Sequence, residues 1–404
     1  MRILDTTPRF GGRANSVMSL GSGPSLILNQ QSKMMSNGSR WGVQSRMSTS
    51  EESLITVPST NRADETSSKF MKAIVRTKFG PPEVLEFKDV EKPVPNNVRG
   101  VLVKIHAASV NPADRYGMIG PPFVLRIILP LFGLGMGVRR PKSRGLGTDA
   151  AGLVVAVSDN VTQFKPGDEV FGACNDSYAE YALAREDRII LKPANCSFEE
   201  AAAVPIAALT ALQALRDKGQ IQRGQRVLVN GAGGGVGTFA VQIAKAHGAE
   251  VTAVTNTQNL ELAHSIGADH VIDYTQEDFT KNGQRYDLIC DCASAHSISE
   301  YKRILNPKGK CVIVGSLGTP KMSRLLYFLI VSRLTRGDKK FRFFIAKITR
   351  EDLTLLKEFL ETGKVMPVID RRYSLSETAE AIEYLGEGHA RGKVVITVKH
   401  DHKT

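Results

Sequence analysis

The sequence predicts an α/β protein in which a β-rich, barrel-like part is followed by a doubly wound parallel sheet. Three observations predict this class. Short apolar runs lie between turn signals before residue 197, strands alternate with helices after it, and a glycine-rich turn joins one strand to a helix. Alternation at this spacing is typical of a parallel sheet covered by helices on both faces.

The β-rich part opens at about Met71 with short runs that are separated by turn signals such as Lys165–Asp168 (KPGD). These runs favour an antiparallel, barrel-like domain. The predicted strands are Lys72–Arg76, Gly100–Ala108, Gly152–Val157, Glu169–Phe171 and Tyr178–Leu183.

The pattern changes at Ser197, where the residues Ser197 to Glu200 (SFEE) form a capping box that opens a helix. Strands then alternate with helices, and a basic apolar stretch separates them from two further helices and a last strand. The predicted strands are Val227–Asn230, Val251–Thr255, His270–Asp273, Leu288–Asp291 and Cys311–Gly315, followed by helices Glu351–Thr362 and Thr378–Leu385 and strand Lys393–Val398.

The glycine-rich turn from Asn230 to Gly237 (NGAGGGVG) lies between an apolar strand and an amphipathic segment. Such a turn lets the backbone approach a pyrophosphate, and the next helix offers unpaired N–H groups to its phosphates. A second strand within one βαβ length favours a dinucleotide site over a helix end or a flexible loop. The predicted cofactor contacts in the turn are Ala232, Gly234, Gly235, Val236 and Gly237.

Charge and cysteine usage restrict the partners. The 404 residues carry a formal charge of +12, and Met322–Arg350 and Arg139–Arg144 hold most of the excess. We interpret both segments as solvated basic loops, with attraction of a phosphorylated cofactor or an anionic membrane surface as alternatives. No nucleic-acid module is visible, so nucleic acid is not an expected partner. Five cysteines without a C-x-x-C pair indicate buried thiols in a reducing compartment.

Two other kinds of segment concern targeting and membranes. Residues 1–50 hold ten serines and a single acid, Asp5, which suits an organellar transit peptide, a disordered tail or a mis-assigned start. The apolar runs Pro121–Val138 and Ser323–Leu334 are interrupted by Arg or Pro and are too short to span a bilayer. They predict a pocket wall or a subunit interface, with peripheral membrane contact as the alternative.

Several motifs in the same order resemble the medium-chain dehydrogenase/reductase superfamily, and within it the zinc-free quinone oxidoreductase group, from about Met71 to Lys399. Besides the glycine turn they are Val110–Tyr116 (VNPADRY), Gly147–Gly152 (GTDAAG), Phe164–Val170 (FKPGDEV), Ala208–Ala211 (ALTA), Gly267–Asp269 (GAD) and Gly392–Val395 (GKVV). The resemblance implies a Rossmann domain inserted into a barrel-like, GroES-like catalytic domain. The implied parts are a tail (1–70), the catalytic domain (71–196), the Rossmann domain (197–348), a return to the catalytic domain (349–399) and a tail (400–404).

The resemblance also bears on metal. Zinc-dependent relatives place a cysteine where this chain has Asn111, and Gly-His-Glu where it has residues 147–149. A catalytic zinc takes three protein ligands of Cys, His or carboxylate type, and Asn111 and Thr148 are poor substitutes. Because closely spaced cysteines for a structural zinc are also absent from the sequence, we predict an enzyme without zinc.

Without a Lewis acid, the implied chemistry is conjugate reduction, in which NADPH delivers hydride to an enone or a quinone. The resulting charge on the carbonyl oxygen needs hydrogen-bond donors, and a proton comes from a tyrosine or from water. The resemblance offers Asn111 and Tyr116 as catalytic polar groups, although Asn111 could be a turn residue and Tyr116 a packing tyrosine. Asp114 is expected to orient the loop or to pair with Arg115.

The strand that ends at Thr255 is followed by Asn256, Thr257 and Gln258, without the acid that holds the ribose hydroxyls in NAD sites. A 2′-phosphate would meet no repulsion there and could accept hydrogen bonds from Thr255, Asn256 and Thr257. Many relatives have Lys or Arg near Gln258, so NADPH is predicted with NADH as an alternative. Tyr274 matches a tyrosine that reaches the adenosine phosphate, or else simply ends a strand.

On the nicotinamide side, the resemblance places Thr210, Gly315 and Ser316. The predicted function is an NADPH-dependent reductase of quinones or α,β-unsaturated carbonyls. The alternatives are an NADP(H)-binding scaffold or sensor with a membrane- or partner-contacting basic loop, and a zinc-free alcohol dehydrogenase acting on simple carbonyls. The family implies a homodimer. The expected location is the cytoplasm, or a mitochondrial or plastid interior if residues 1–70 are a transit peptide.

Overall fold

The computed structural model describes residues 69–120, 140–293, 296–314 and 341–400. In these ranges the strands are β1 Phe70–Val75, β2 Glu86–Glu91, β3 Val101–Val110, β4 Asp149–Val157, β5 Glu169–Asn175, β6 Tyr181–Leu191, β7 Arg226–Asn230, β8 Glu250–Thr255, β9 His270–Asp273, β10 Tyr286–Asp291, β11 Leu305–Ile313, β12 Phe341–Phe343, β13 Ile369–Ser374 and β14 Lys393–Thr397. The α-helices are α1 Pro112–Ile119, α2 Phe198–Ala202, α3 Pro205–Gln213, α4 Gly235–Ala246, α5 Leu260–Ser265, α6 Ile298–Ile304, α7 Arg350–Glu361 and α8 Thr378–Glu387.

The β-rich part is a six-stranded sheet in the order β13-β14-β3-β4-β5-β6, with an additional pairing between β3 and β6. That pairing curls the sheet back on itself, as expected for a barrel. The long strand β3 is the centre of this arrangement: β4 pairs along most of it, β6 pairs with its first half and β14 with its second half, and nine of its ten side chains are buried. The first predicted strands are confirmed with shifted ends, and the last one begins at Tyr181 rather than Tyr178.

The second sheet has the order β12-β11-β10-β7-β8-β9, and its pairings are parallel. Its central strand β7 is apolar and fully buried from Val227 to Val229, as a strand covered on both faces must be. The strand order reverses between β7 and β10, which is where open α/β sheets bind ligands at their carboxyl ends. The fold is therefore a Rossmann sheet combined with a GroES-like, barrel-like domain.

The fifth predicted strand of this sheet differs most from expectation. It covers Leu305–Ile313 instead of Cys311–Gly315, because Leu305 extends the parallel pairing with β10 past a register shift. The capping box at Ser197 is confirmed: Ser197 Oγ accepts from the backbone N–H of Glu200 at 3.2 Å, and the Ser197 N–H donates to the Glu200 carboxylate at 2.8 Å.

Several predictions fall outside the described residues. They concern the tail up to residue 68, the apolar runs Pro121–Val138 and Ser323–Leu334, and the site residues Gly315 and Ser316. Among the helices that the structure describes, none is long and apolar enough to cross a membrane. The domain boundaries given above stay predictions.

Candidate active site

Close backbone contacts shape the glycine turn, most tightly at Gly237. Gly231 has a φ of +81°, and the N–H groups of Gly231 and Ala232 both donate to the Val254 carbonyl at 3.0 Å. A Cβ on Gly237 would overlap the Gly231 carbonyl oxygen. Ala232, which stands where glycine is usual, is fully buried under the turn, and its side chain is small enough to be accommodated there.

A cleft of about 770 Å³ opens above this turn. It lies between the turn, the carboxyl ends of β8 and β10 and the segment from Leu385 to Ala390. Pro112, next to the predicted catalytic Asn111, also lines it. The structure therefore brings together the turn and the catalytic loop. Of the predicted cofactor residues, the cleft is lined by Gly234, Gly235, Thr255, Asn256 and Tyr274.

The other predicted cofactor residues that the structure describes do not line the cleft. Gly237 is buried within the turn and Val236 is half-buried beside it. Thr257 is exposed just beyond Asn256. The Thr210 hydroxyl donates to the Ile206 carbonyl within α3 at 2.7 Å, so in this structure it is engaged locally.

In the loop after β8, where the adenosine end of the cofactor is predicted, Asn256 presents a buried Oδ1 that has no hydrogen-bond donor among the described residues. Arg391 reaches the same loop at Asn259, where its Nε donates to Asn259 Oδ1 at 2.8 Å. Asn259 in turn packs against Gly233 of the turn. Arg391 supplies a positive charge that the sequence around Gln258 lacks. Sequence reasoning missed it because Arg391 is 132 residues from Asn259 along the chain.

Below the cleft, Asn111 belongs to a buried polar network. Its side-chain N–H donates to Asp149 Oδ2 at 2.8 Å, and its Oδ1 accepts from the Lys393 ammonium at 2.6 Å. Lys393 also forms an ion pair with Asp149 at 3.6 Å, with side chains 3% and 0% exposed. Asp149 further accepts from Ser109 Oγ at 2.9 Å and from the Ile206 N–H at 3.0 Å.

This network explains how the catalytic loop is held. Asp149 accepts a hydrogen bond from the first turn of α3, and Lys393 lies beside Gly235 of the glycine turn. Through these two side chains, Asn111 is connected both to α3 and to the glycine turn. Burial lowers the pKa of the Lys393 ammonium and raises the pKa of the Asp149 carboxyl, and each group opposes the shift in the other. Neither Lys393 nor Asp149 was among the predicted site residues.

Asp114 orients the same loop, as expected, through partners other than Arg115. Its Oδ2 accepts from the Asn111 N–H at 2.8 Å and from the Tyr178 hydroxyl at 2.9 Å. Complete burial raises the pKa of Asp114 to about 6, although both hydrogen bonds oppose that shift.

The shift in Asp114 predicts a pH dependence of stability. The folded chain binds its proton more readily than the unfolded chain, so this contribution to stability is complete below about pH 4 and is lost as pH rises through 6. Between pH 4 and 7, the free energy of unfolding of the wild type should fall by about 2 kcal/mol relative to that of D114N. Urea denaturation of both proteins across this range measures the difference, and parallel pH profiles would contradict it.

Tyr116 lies one turn further along α1 than Pro112 and is half-buried. Partial burial raises the pKa of its hydroxyl, so Tyr116 stays neutral at neutral pH and can donate a hydrogen bond, although Tyr116 is not among the residues that line the cleft. The side chain of Asn111, in contrast, is hydrogen-bonded to Asp149 and Lys393.

The residues at the position of a catalytic zinc do not fit this metal. The Asn111 amide binds Asp149 and Lys393, and an ammonium group 2.6 Å from Asn111 Oδ1 would repel a divalent cation. Across the part of the chain that the structure describes, no three His, Cys, Asp or Glu side chains are grouped to hold a metal ion. The enzyme without zinc stays a prediction that elemental analysis would test.

Comparison with known proteins fits this geometry. A family model described as an alcohol dehydrogenase GroES-like domain matches residues 98–214, and one described as a zinc-binding dehydrogenase matches residues 266–396. The chloroplastic quinone-oxidoreductase QR1 of Triphysaria versicolor is 33% identical over 350 residues, which cover 82% of this chain and 99% of that protein. The chain belongs to the medium-chain dehydrogenase/reductase superfamily.

Within that superfamily, the chain is a member of the quinone oxidoreductase-like group. The mitochondrial NAD(P)H oxidoreductase RTN4IP1 of Mus musculus is 34% identical over 362 residues, covering 82% of this chain and 90% of that protein. The solved quinone oxidoreductase of Coxiella burnetii has a TM-score of 0.70 at 31% identity, covering 82% of this chain and all of that one. This medium-chain dehydrogenase/reductase is an NAD(P)H-dependent oxidoreductase.

Proposed function

We propose that the enzyme is an NADPH-dependent reductase of quinones or α,β-unsaturated carbonyl compounds that works without zinc. One observation carries the proposal. The glycine turn and the catalytic loop meet in a single cleft, and the buried groups beside it include an ammonium instead of a metal-ligand set. The quinone oxidoreductase relatives support quinones as the substrate class.

The residues divide the work of binding. The N–H groups at the start of α4 bind the pyrophosphate, and Gly234 and Gly235 let it approach the backbone. Asn256, Tyr274 and Arg391 hold the adenosine end, where Arg391 favours a 2′-phosphate. When bound, NADPH supplies the hydride. Thr210, Gly315 and Ser316 are proposed to lie on the nicotinamide side.

Tyr116 is proposed as the catalytic donor. Its hydroxyl would stabilise negative charge on the substrate carbonyl oxygen, and the proton would come from Tyr116 or from water. Asn111 acts as a positioning residue because Asp149 and Lys393 occupy its amide group. This assignment differs from the sequence expectation, in which Asn111 faced the carbonyl directly.

Stopped-flow NADPH oxidation with 9,10-phenanthrenequinone and with a long-chain enal tests the proposal. We expect turnover of at least one of these acceptors, and stronger turnover than of a simple alcohol with NADP⁺. Tight NADPH binding without reduction of any acceptor would contradict the reductase and favour an NADP(H)-binding scaffold. Oxidation of the alcohol alone would favour the alcohol dehydrogenase.

Assembly and location follow from the family. We propose a homodimer. The relatives named as chloroplastic and mitochondrial support the organellar alternative, in which residues 1–70 are a transit peptide, over the cytoplasm.

A further inference from the structure

The adenosine end of the cleft has an acid that the sequence around β8 does not reveal. Strands β8 and β9 pair in parallel, and Asp273 at the end of β9 is level with Thr255 at the end of β8. Thr257 Oγ1 donates to Asp273 Oδ2 at 2.5 Å. A carboxylate therefore lies next to the loop that receives the adenosine ribose, on the neighbouring strand.

This carboxylate is fixed and charged. Its second oxygen, Oδ1, accepts from the Thr275 N–H at 2.9 Å and from the Thr275 hydroxyl at 2.8 Å. The hydrogen bond from Thr257, with those from Thr275, lowers the pKa of Asp273 below its usual range. Asp273 is thus ionised throughout the neutral range.

Two effects on a 2′-phosphate follow from this arrangement. A hydroxyl can donate one hydrogen bond, and Thr257 donates its hydrogen bond to Asp273. Thr257 therefore cannot also donate one to a phosphate. A phosphate monoester carries a charge of about −1.5 to −2 at neutral pH, and it would face the Asp273 charge across a single hydroxyl group. Arg391, on the Asn259 side of the same loop, carries a positive charge that would attract the phosphate and so oppose the repulsion by Asp273.

We propose that Asp273 is a cofactor-specificity residue whose charge opposes Arg391 and weakens the preference for NADPH, so that NADH also serves. This inference rests on the proposed function, and it names the residue that sets cofactor choice at the same site. NADH lacks the 2′-phosphate, so its binding is insensitive to this repulsion.

Asp273→Asn tests the inference because asparagine keeps the size of the side chain and an acceptor for Thr275. We expect the ratio of kcat/KM for NADPH to that for NADH to rise about five- to ten-fold, mainly through a lower KM for NADPH. Titration of NADP⁺ and NAD⁺ binding should show the same change in the ratio of the two Kd values, without any turnover.

Two variants serve as controls. Asp273→Glu keeps the charge and should leave the preference close to that of the wild type. Glu250→Gln removes a charge from the opposite end of β8, where Glu250 pairs with His270, and should change neither ratio. An unchanged ratio in D273N, or an equal rise in E250Q, would overturn the inference. Absence of turnover in the wild type would refute the proposed reductase, while the binding titration would still decide the role of Asp273.

Discussion

Replacing Gly237 with alanine is expected to remove cofactor-dependent activity and to destabilise the Rossmann sheet. The new methyl group would overlap the Gly231 carbonyl oxygen and lie 2.8 Å from Ala232 Cα, both of which are backbone atoms that side-chain motion cannot relieve. Overpacking of this kind costs about 1–3 kcal/mol. Displacing a bound reactant by 1 Å can lower a rate about 100-fold, and we expect at least that loss in kcat/KM.

Gly234→Ala is the matched control for this prediction. At Gly234 the nearest atom to a new Cβ is the Gly231 carbonyl oxygen at 3.5 Å, an ordinary contact, and φ is −87°. The free energy of unfolding should stay the same or rise by up to about 1 kcal/mol. Because Gly234 lines the cleft, cofactor affinity should still fall. Urea denaturation and NADPH titration separate the two effects, and equal stability of G237A and the wild type would contradict the steric argument.

Replacing Lys393 with methionine should have the second large effect. Methionine fills a similar volume but leaves Asp149, which is fully buried, without its cation. Removing one partner of a buried ion pair costs about 3–5 kcal/mol. Since Asn111 loses its contact with the ammonium as well, kcat should fall together with the free energy of unfolding.

The double variant K393M/D149N distinguishes a charge effect from a packing effect. Asparagine has one acceptor oxygen, so D149N would keep the hydrogen bond from Ser109 or the one from the Ile206 N–H but not both, and its side chain would carry no charge. If the cost of K393M is an uncompensated carboxylate, D149N should recover part of it despite losing one hydrogen bond, giving a strongly non-additive cycle in urea denaturation. Additive losses would show that Lys393 contributes through packing alone.

The regular elements were predictable where burial leaves a pattern in the sequence. Strand β7 and the turn after it were found because a buried apolar run ends at glycines. Strand β2 was missed since its side chains stay largely exposed, so no alternation of apolar and polar residues marks it. Helix α1 was missed for a related reason: only Asp114, Gly117 and Met118 are buried along it.

The site was predictable only in its local part. The glycine turn needs residues that are close in sequence, whereas the groups that adjust its chemistry come from distant strands. Lys393 reaches Asn111 across 282 positions, and Arg391 reaches Asn259 across 132. Asp273 shows the same limit at short range. The sequence shows no acid after β8, but the pairing of β8 with β9 brings one beside Thr257.

Strand β14 also bears on how the chain is synthesised. It inserts between β13 and β3, and Lys393 binds the Val110 carbonyl from a position 283 residues later. The Rossmann sheet, whose strands are contiguous in sequence, can form while the ribosome is still translating. The six-stranded sheet of the β-rich part cannot be completed until residues 393–397 have emerged from the ribosome. Until then, part of β3 has no pairing strand. During that interval a nascent chain exposes unpaired backbone groups and apolar side chains of β3, a state that is prone to aggregation.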